Sequence, residues 1–145
     1  MNRIELIISS LAFSITSCAV NLRNIPDFDI GKLCEHYFEE GLYDLSLDYC
    51  KEAIERGDAS AYFLLGNSYL EIVKESVLRT PTLKESRNFS YYRNVERSLR
   101  NAIDSYYAYV DSYGYNRSLI DSLGEAEDLL EFQRNEEDWN LRSGL

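Results

Sequence analysis

From Ile30 onward apolar residues recur at three- and four-residue spacing, in runs that stop at glycines, and this pattern restricts the chain to packed helices. Ile30, Leu33, Cys34, Tyr37 and Phe38 form the first run, which Gly41 ends. Leu45, Leu47, Tyr49, Cys50, Ala53 and Ile54 form the second, which closes at Gly57 in the manner of a helix C-terminal cap. The third run, Ala61, Tyr62, Leu64, Leu65, Tyr69, Ile72 and Val73, starts after Asp58, a residue suited to N-capping. With 7 Gly and 2 Pro in 145 residues the chain lacks the turns that an all-β sandwich needs every ~8–12 residues. The length is that of one domain.

Charge excludes several function classes. Fifteen Lys and Arg stand against 25 Asp and Glu, a net of −10, so the surface repels nucleic acid, and nucleic-acid binding is not expected. The balance is uneven. Residues 74–100 hold seven bases and three acids, a net of +4 that leaves −14 on the rest.

Residues 1–18 read MNRIELIISSLAFSITSC: Arg3 near the start, an apolar stretch from Leu6 to Ile15, then small residues. This is the layout of an export signal. The stretch is too short to span a bilayer, which takes about 20 residues. Its end, Ile15-Thr16-Ser17-Cys18, resembles the bacterial lipobox. That resemblance implies cleavage after residue 17, lipidation of Cys18 and anchoring in a membrane, and Ala19 behind the cysteine implies delivery to the outer membrane. The alternative is an uncleaved first helix packed on a cytosolic body. Residues 18–29, with Pro26 and little periodicity, read as a tether, 30–135 as the helical domain and 136–145 as an acidic tail.

In GKLCEHYFEEGLYDLSLDYCKEAIERGD the residues Leu33, Cys34, Tyr37, Gly41, Tyr43, Ser46 and Ala53 fall on the pattern of tetratricopeptide repeats. The joined stretch AIERGDASAYFLLGNSYL, with Ala53, Gly57, Ala61, Leu65, Gly66 and Tyr69, is similar to the Sel1-like subclass. The resemblance covers residues 27–73. It implies an all-α fold of antiparallel helical hairpins, about two units, with small residues at the close helix contacts and aromatic residues between hairpins. VLRTPTLKESRNFS reads as a loop inside the second hairpin. The next helix is expected over Tyr91–Val110, where Ala102-Ile103-Asp104 echoes Ala53-Ile54-Glu55. A break at DSYGYN precedes a last helix, Leu119 to about Asn135. With fewer than three units, that helix must act as a C-terminal cap or a partner must cover an end.

The resemblance also implies a partner-binding groove lined by Glu35, Phe38, Glu39, Phe63, Asn67, Leu70 and Glu71. An apolar and acidic groove suits a peptide with apolar anchors and basic flanks; the alternative is that Phe38, Phe63 and Leu70 belong to the core. Arg93, Arg97 and Arg100 share one helix face beside Tyr91 and Tyr92. That stripe reads either as a contact for an acidic partner or for lipid phosphates, or as a solvated face balanced by Glu96. Cys34 and Cys50 lie at equal distances from Leu42 and would face each other across a hairpin turned there. A disulfide is open to them in an oxidising compartment, and so is a plain contact of two small apolar side chains.

Catalytic apparatus is sparse. The acid pairs Glu39/Glu40 and Glu136/Glu137 are sequence neighbours and diverge on a helix, whereas a glycosidase needs two carboxylates converging on one cleft. The lone His36 has Cys34 only two positions away, on another side of the helix. A zinc site wants four ligands and has no second His. No catalytic residue, metal, cofactor or small-molecule substrate is assigned. The expectation is a non-enzymatic, lipid-anchored envelope protein that binds another protein. Small lipoproteins of this kind include assembly factors or pilotins of envelope machines and the exclusion lipoproteins of plasmids, which block conjugative transfer. A cytosolic helical-repeat adaptor or regulator is the alternative.

Overall fold

The computed structural model describes residues 27–79 and 89–142, and every regular element within them is an α-helix. α1 (Asp27–Glu39), α2 (Tyr43–Glu55), α3 (Ala61–Arg79), α4 (Phe89–Tyr113) and α5 (Arg117–Arg142) follow in order. The chain is therefore all-α over these residues. No helix among them is long and apolar enough to cross a membrane. The expected signal 1–17, Cys18 and most of the tether lie outside the described residues, as do Pro81, Lys84 and Arg87.

Glycine ends the first two helices because the backbone there turns left-handed. At Gly41, φ is +72°, and at Gly57 it is +95°, a region in which a Cβ would crowd the backbone. Each glycine lets the chain fold back on the last turn. Leu42 N–H donates to the Tyr37 carbonyl at 2.9 Å and Gly41 N–H to that of Phe38 at 3.0 Å. The same two bonds recur from Asp58 to Ala53 and from Gly57 to Ile54, both at 2.9 Å. Carbonyls that the helix end would leave without donors are thereby satisfied. Asp58 shapes the turn ahead of α3, since its Oδ1 accepts the Ser60 N–H at 3.0 Å. Asn116 is the true cap of α5, accepting the Leu119 N–H at 2.8 Å.

Several boundaries differ from those expected: α4 spans Phe89–Tyr113 and takes in the first half of the DSYGYN break, and α5 begins at Arg117. α1 opens at Asp27, inside the stretch read as tether. α3 runs on through Val77 and Leu78 to Arg79, and Pro81 follows two residues later. α5 continues past Asn135 to Arg142, because no Gly or Pro occurs between Gly124 and Gly144 to stop it.

Two buried clusters hold the helices. Ile30, Cys34, Leu47, Tyr49, Cys50, Ala53, Ala61 and Leu65 join α1, α2 and the first half of α3. Leu70, Val73, Val95, Leu99, Ala102, Tyr106, Leu119, Leu123 and Ala126 join the second half of α3 to α4 and α5. Each large apolar side chain so buried contributes about 1.5–3 kcal/mol. Half-buried Tyr69 packs on both clusters. Close approach is tightest at Gly66, where a Cβ would stand 2.5 Å from the fully buried Tyr106 ring. A small polar ladder crosses the first cluster: Ser46 Oγ donates to the Cys34 carbonyl at 3.0 Å, and Ser68 Oγ lies 3.0 Å from Ser46 Oγ. Cys34 and Cys50 form a disulfide, with Cα atoms 4.9 Å apart and both residues fully buried.

Candidate functional site

The residues named for a groove do not share one surface. On α1, Glu35 and Glu39 are exposed, and Phe38 is half-buried with its ring 5.5 Å from that of Tyr43. On α3 the four candidates face α4 and α5. Phe63 packs against Tyr106 and Tyr109, with ring centroids 6.1 and 5.6 Å away. Asn67 Oδ1 accepts the Tyr106 hydroxyl hydrogen at 2.8 Å, and Leu70 is 2% exposed. Glu71 accepts from Lys74 Nζ at 2.8 Å, and the same ammonium lies 3.1 Å from Glu125 on α5. Burial works against the Lys74 charge, yet the hydrogen bonds to the two carboxylates prevail and raise its pKa. Leu70 is therefore a core residue rather than a groove residue. Asn67 and Glu71 are engaged within the fold. The resemblance stops at residue 73 and puts the groove on the α3 face that α4, the expected second helix of that hairpin, and α5 cover.

The arginine stripe is partly neutralised. Arg93 and Arg97 are exposed. Arg100 donates to Glu96 at 2.7 Å, and Arg134 of α5 lies 3.5 Å from the same carboxylate. The hydrogen bond from Arg100 is the main reason that Glu96 keeps a pKa below the usual carboxylate range; the two arginine charges act the same way, and partial burial opposes them.

Ile120 and Phe132 are apolar residues of the last helix, yet the structure exposes them, at 54% and 57%. Leu119, Leu123 and Ala126 take the buried stripe instead. The signal was present: at ~100° per residue Ile120 and Phe132 fall well outside the arc that holds those three. Ile120, Gly124, Asp128 and Phe132 follow at four-residue steps along one row, with Asp121, Glu125 and half-buried Leu129 on the next. Together they border an open furrow of about 650 Å³. A Cβ at Gly124 would meet nothing within 4 Å, so the row has a gap at its middle. Lys74 answers Glu125, whereas Asp121 and Asp128 have no ion-pair partner among the described residues.

A smaller hollow of about 280 Å³ lies between the α1–α2 turn and α3. Exposed Leu42 and Leu45 border it together with Ile72 and Glu75. Among the described residues no three His, Cys, Asp or Glu side chains gather as metal ligands would. His36 is exposed beside the Tyr37 ring.

No protein-family model, curated protein or solved structure matches this chain.

Proposed function

We propose that this chain is an exported protein, anchored through lipid on Cys18, that acts by binding another protein on its helical surface and not by catalysis. The observation that carries the reading is Ile15-Thr16-Ser17-Cys18 directly behind the apolar run from Leu6. Each buried methylene of an attached acyl chain contributes about 0.8 kcal/mol, so several chains hold an acidic body at a membrane firmly. The buried Cys34–Cys50 disulfide supports an oxidising compartment such as a periplasm.

In this reading the helices are stacked antiparallel hairpins of tetratricopeptide or Sel1-like kind, α1 with α2 and α3 with α4, with α5 as the cap. Support comes from the three-residue α1–α2 turn and from contacts whose numbers fall on one helix as they rise on the other: Tyr37 stacks on Tyr49, and Phe38 meets Tyr43. Each helix also packs on its neighbour in the chain, and α1 reaches α3 as α3 reaches α5. Exposed apolar side chains next to carboxylates, at Leu42 and Leu45 and again at Ile120 and Phe132, suit protein contacts. An assembly factor or pilotin of an envelope machine, or a plasmid exclusion lipoprotein at the outer membrane, would work in this way.

The test is palmitate labelling with membrane fractionation of the full chain and its Cys18→Ser variant. Label and membrane association that both depend on Cys18 are the expected result. Unlabelled, soluble protein still beginning at Met1 would replace this reading with that of a cytosolic helical-repeat adaptor.

A further inference from the structure

We infer that the outward face of α5 is where this protein seats a cationic amphipathic helix of its partner; the inference rests on the partner-binding reading above and gives it a place and a chemistry. The first and last of the described helices differ in what they turn outward. Among the described side chains of α1 the exposed ones are Asp29, Lys32, Glu35, His36 and Glu39, a polar face of the kind that closes a helical stack against water. On α5 the exposed residues include Ile120 and Phe132, and no sixth helix follows among the described residues to cover them.

The α5 face also has the relief that helix packing uses. Rows of side chains at four-residue steps form ridges, and ridges of a second helix lie in the grooves between them, with axes about 8–10 Å apart. Gly124 breaks the ridge between Ile120 and Asp128, and its open Cβ position leaves room for a partner side chain or backbone to enter. Ile120 and Phe132 are twelve residues apart, or about 18 Å along the axis, so the occupant must be a helix of at least about three turns.

Charge selects among occupants. Asp121 and Asp128 flank the apolar positions without an ion-pair partner among the described residues, and residues 117–137 carry seven acids against two bases. Lysine or arginine beside apolar anchors answers both features. A second copy of α5 would set these carboxylates against their own kind. The stripe of Arg93, Arg97 and Arg100 on a second copy has matching charge, but Glu96 already holds Arg100, and the exposed residues interleaved with the other two arginines, Ser90 and Asn94, are polar.

The experiment measures binding of an 18-residue helical Leu/Lys peptide to the purified full chain by fluorescence anisotropy, against a Leu/Glu peptide of identical apolar pattern. The Leu/Lys peptide is expected to bind at least tenfold more tightly, with an affinity that falls as salt rises. Asp121→Lys with Asp128→Lys, Ile120→Ser with Phe132→Ser, and Gly124→Trp should each weaken it at least tenfold. Glu35→Lys with Glu39→Lys, an equal charge change on α1, should alter it less than twofold. Equal loss from the α1 variant would overturn the inference in favour of diffuse charge attraction, and absence of binding or indifference to the α5 variants would overturn it outright. A dimer of the full chain that Phe132→Ser dissociates would make a second copy the occupant and overturn it too. In cells, a photo-crosslinking residue at position 132 is compared with one at position 38. Adducts at 38 alone would overturn the α5 assignment while sparing the partner-binding reading; adducts at neither would remove both, and palmitate labelling reports on the anchor independently.

Discussion

The core around α1, α2 and the first half of α3 is built from small side chains and a covalent tie: Cys34 with Cys50, Ala53, Ala61, and the Ser46–Ser68 contact. The core under α4 and α5 has no such tie and depends on Leu99, Tyr106, Leu119 and Leu123. Helix length explains the contrast. α1 and α2 have 13 residues each, a length at which an isolated helix is marginal in water, so close packing and a crosslink have to supply what length does not. α4 and α5 have 25 and 26 residues and bury enough side chain along their length. The same length leaves α5 with a second face that the fold does not use. The half that carries the disulfide exposes Leu42 and Leu45 beside the α1–α2 turn, whereas the other half leaves Ile120 and Phe132 bare along the length of α5.

The strongest way to break this contrast is Leu99→Ala, which empties the centre of the second core and is expected to cost about 2–5 kcal/mol. Hydrogen exchange should then show α4 and α5 loosened while amides of α1 and α2 stay protected. Simultaneous loss everywhere would mean that the two cores melt as one unit and that the distinction has no thermodynamic content. Replacing Cys34 and Cys50 together by Ala opens a crosslink between residues 16 apart in sequence, worth about 3 kcal/mol for a loop of this size. Here the protection pattern should invert, with α1 and α2 exchanging first. Gly66→Leu strikes the joint between the cores by driving a side chain into the Tyr106 ring, and about 1–3 kcal/mol should be lost in thermal melts. An unchanged Tm would show that α3 and α4 are not in close register there.

The smallest effect concerns Glu96, on the α4–α5 side. Its pKa lies below the ordinary range, so the folded state gains from the ionised form. That gain is complete above the normal carboxylate pKa and is lost as pH falls through the lowered one. For a half-exposed pair it amounts to about 0.5 kcal/mol or less. Glu96→Gln should remove this acid sensitivity from α4 and α5 and leave the α1–α2 exchange pattern unchanged.

Local chemistry made part of this legible in advance. Gly41 and Gly57 mark helix ends because they adopt a backbone region that other residues resist, and the alternating four- and three-residue spacing of Ile30, Cys34 and Tyr37 gives α1 its inner face. The equal spacing of Cys34 and Cys50 about Leu42 followed from a turn at that place, and the sulfurs do meet. The candidate surfaces were harder to read. Leu70 and Ile120 are both aliphatic residues on amphipathic helices, and one is buried while the other is bare. Periodicity gives the direction of a helix's apolar arc, whereas its width depends on how many neighbours arrive to cover it.

By itself the sequence determined the helix class, the glycine-ended turns and the net acidity, because these depend on contacts within about a turn of each residue or on composition alone. Only the tertiary structure decided that α4 and α5 cover Asn67, Leu70 and Glu71, that the Tyr106 ring rests on Gly66, and that Ile120 and Phe132 face water. Those outcomes depend on which helices pack side by side. That choice is made by side chains distant in the chain that must fill one another's space, and no local window contains both partners.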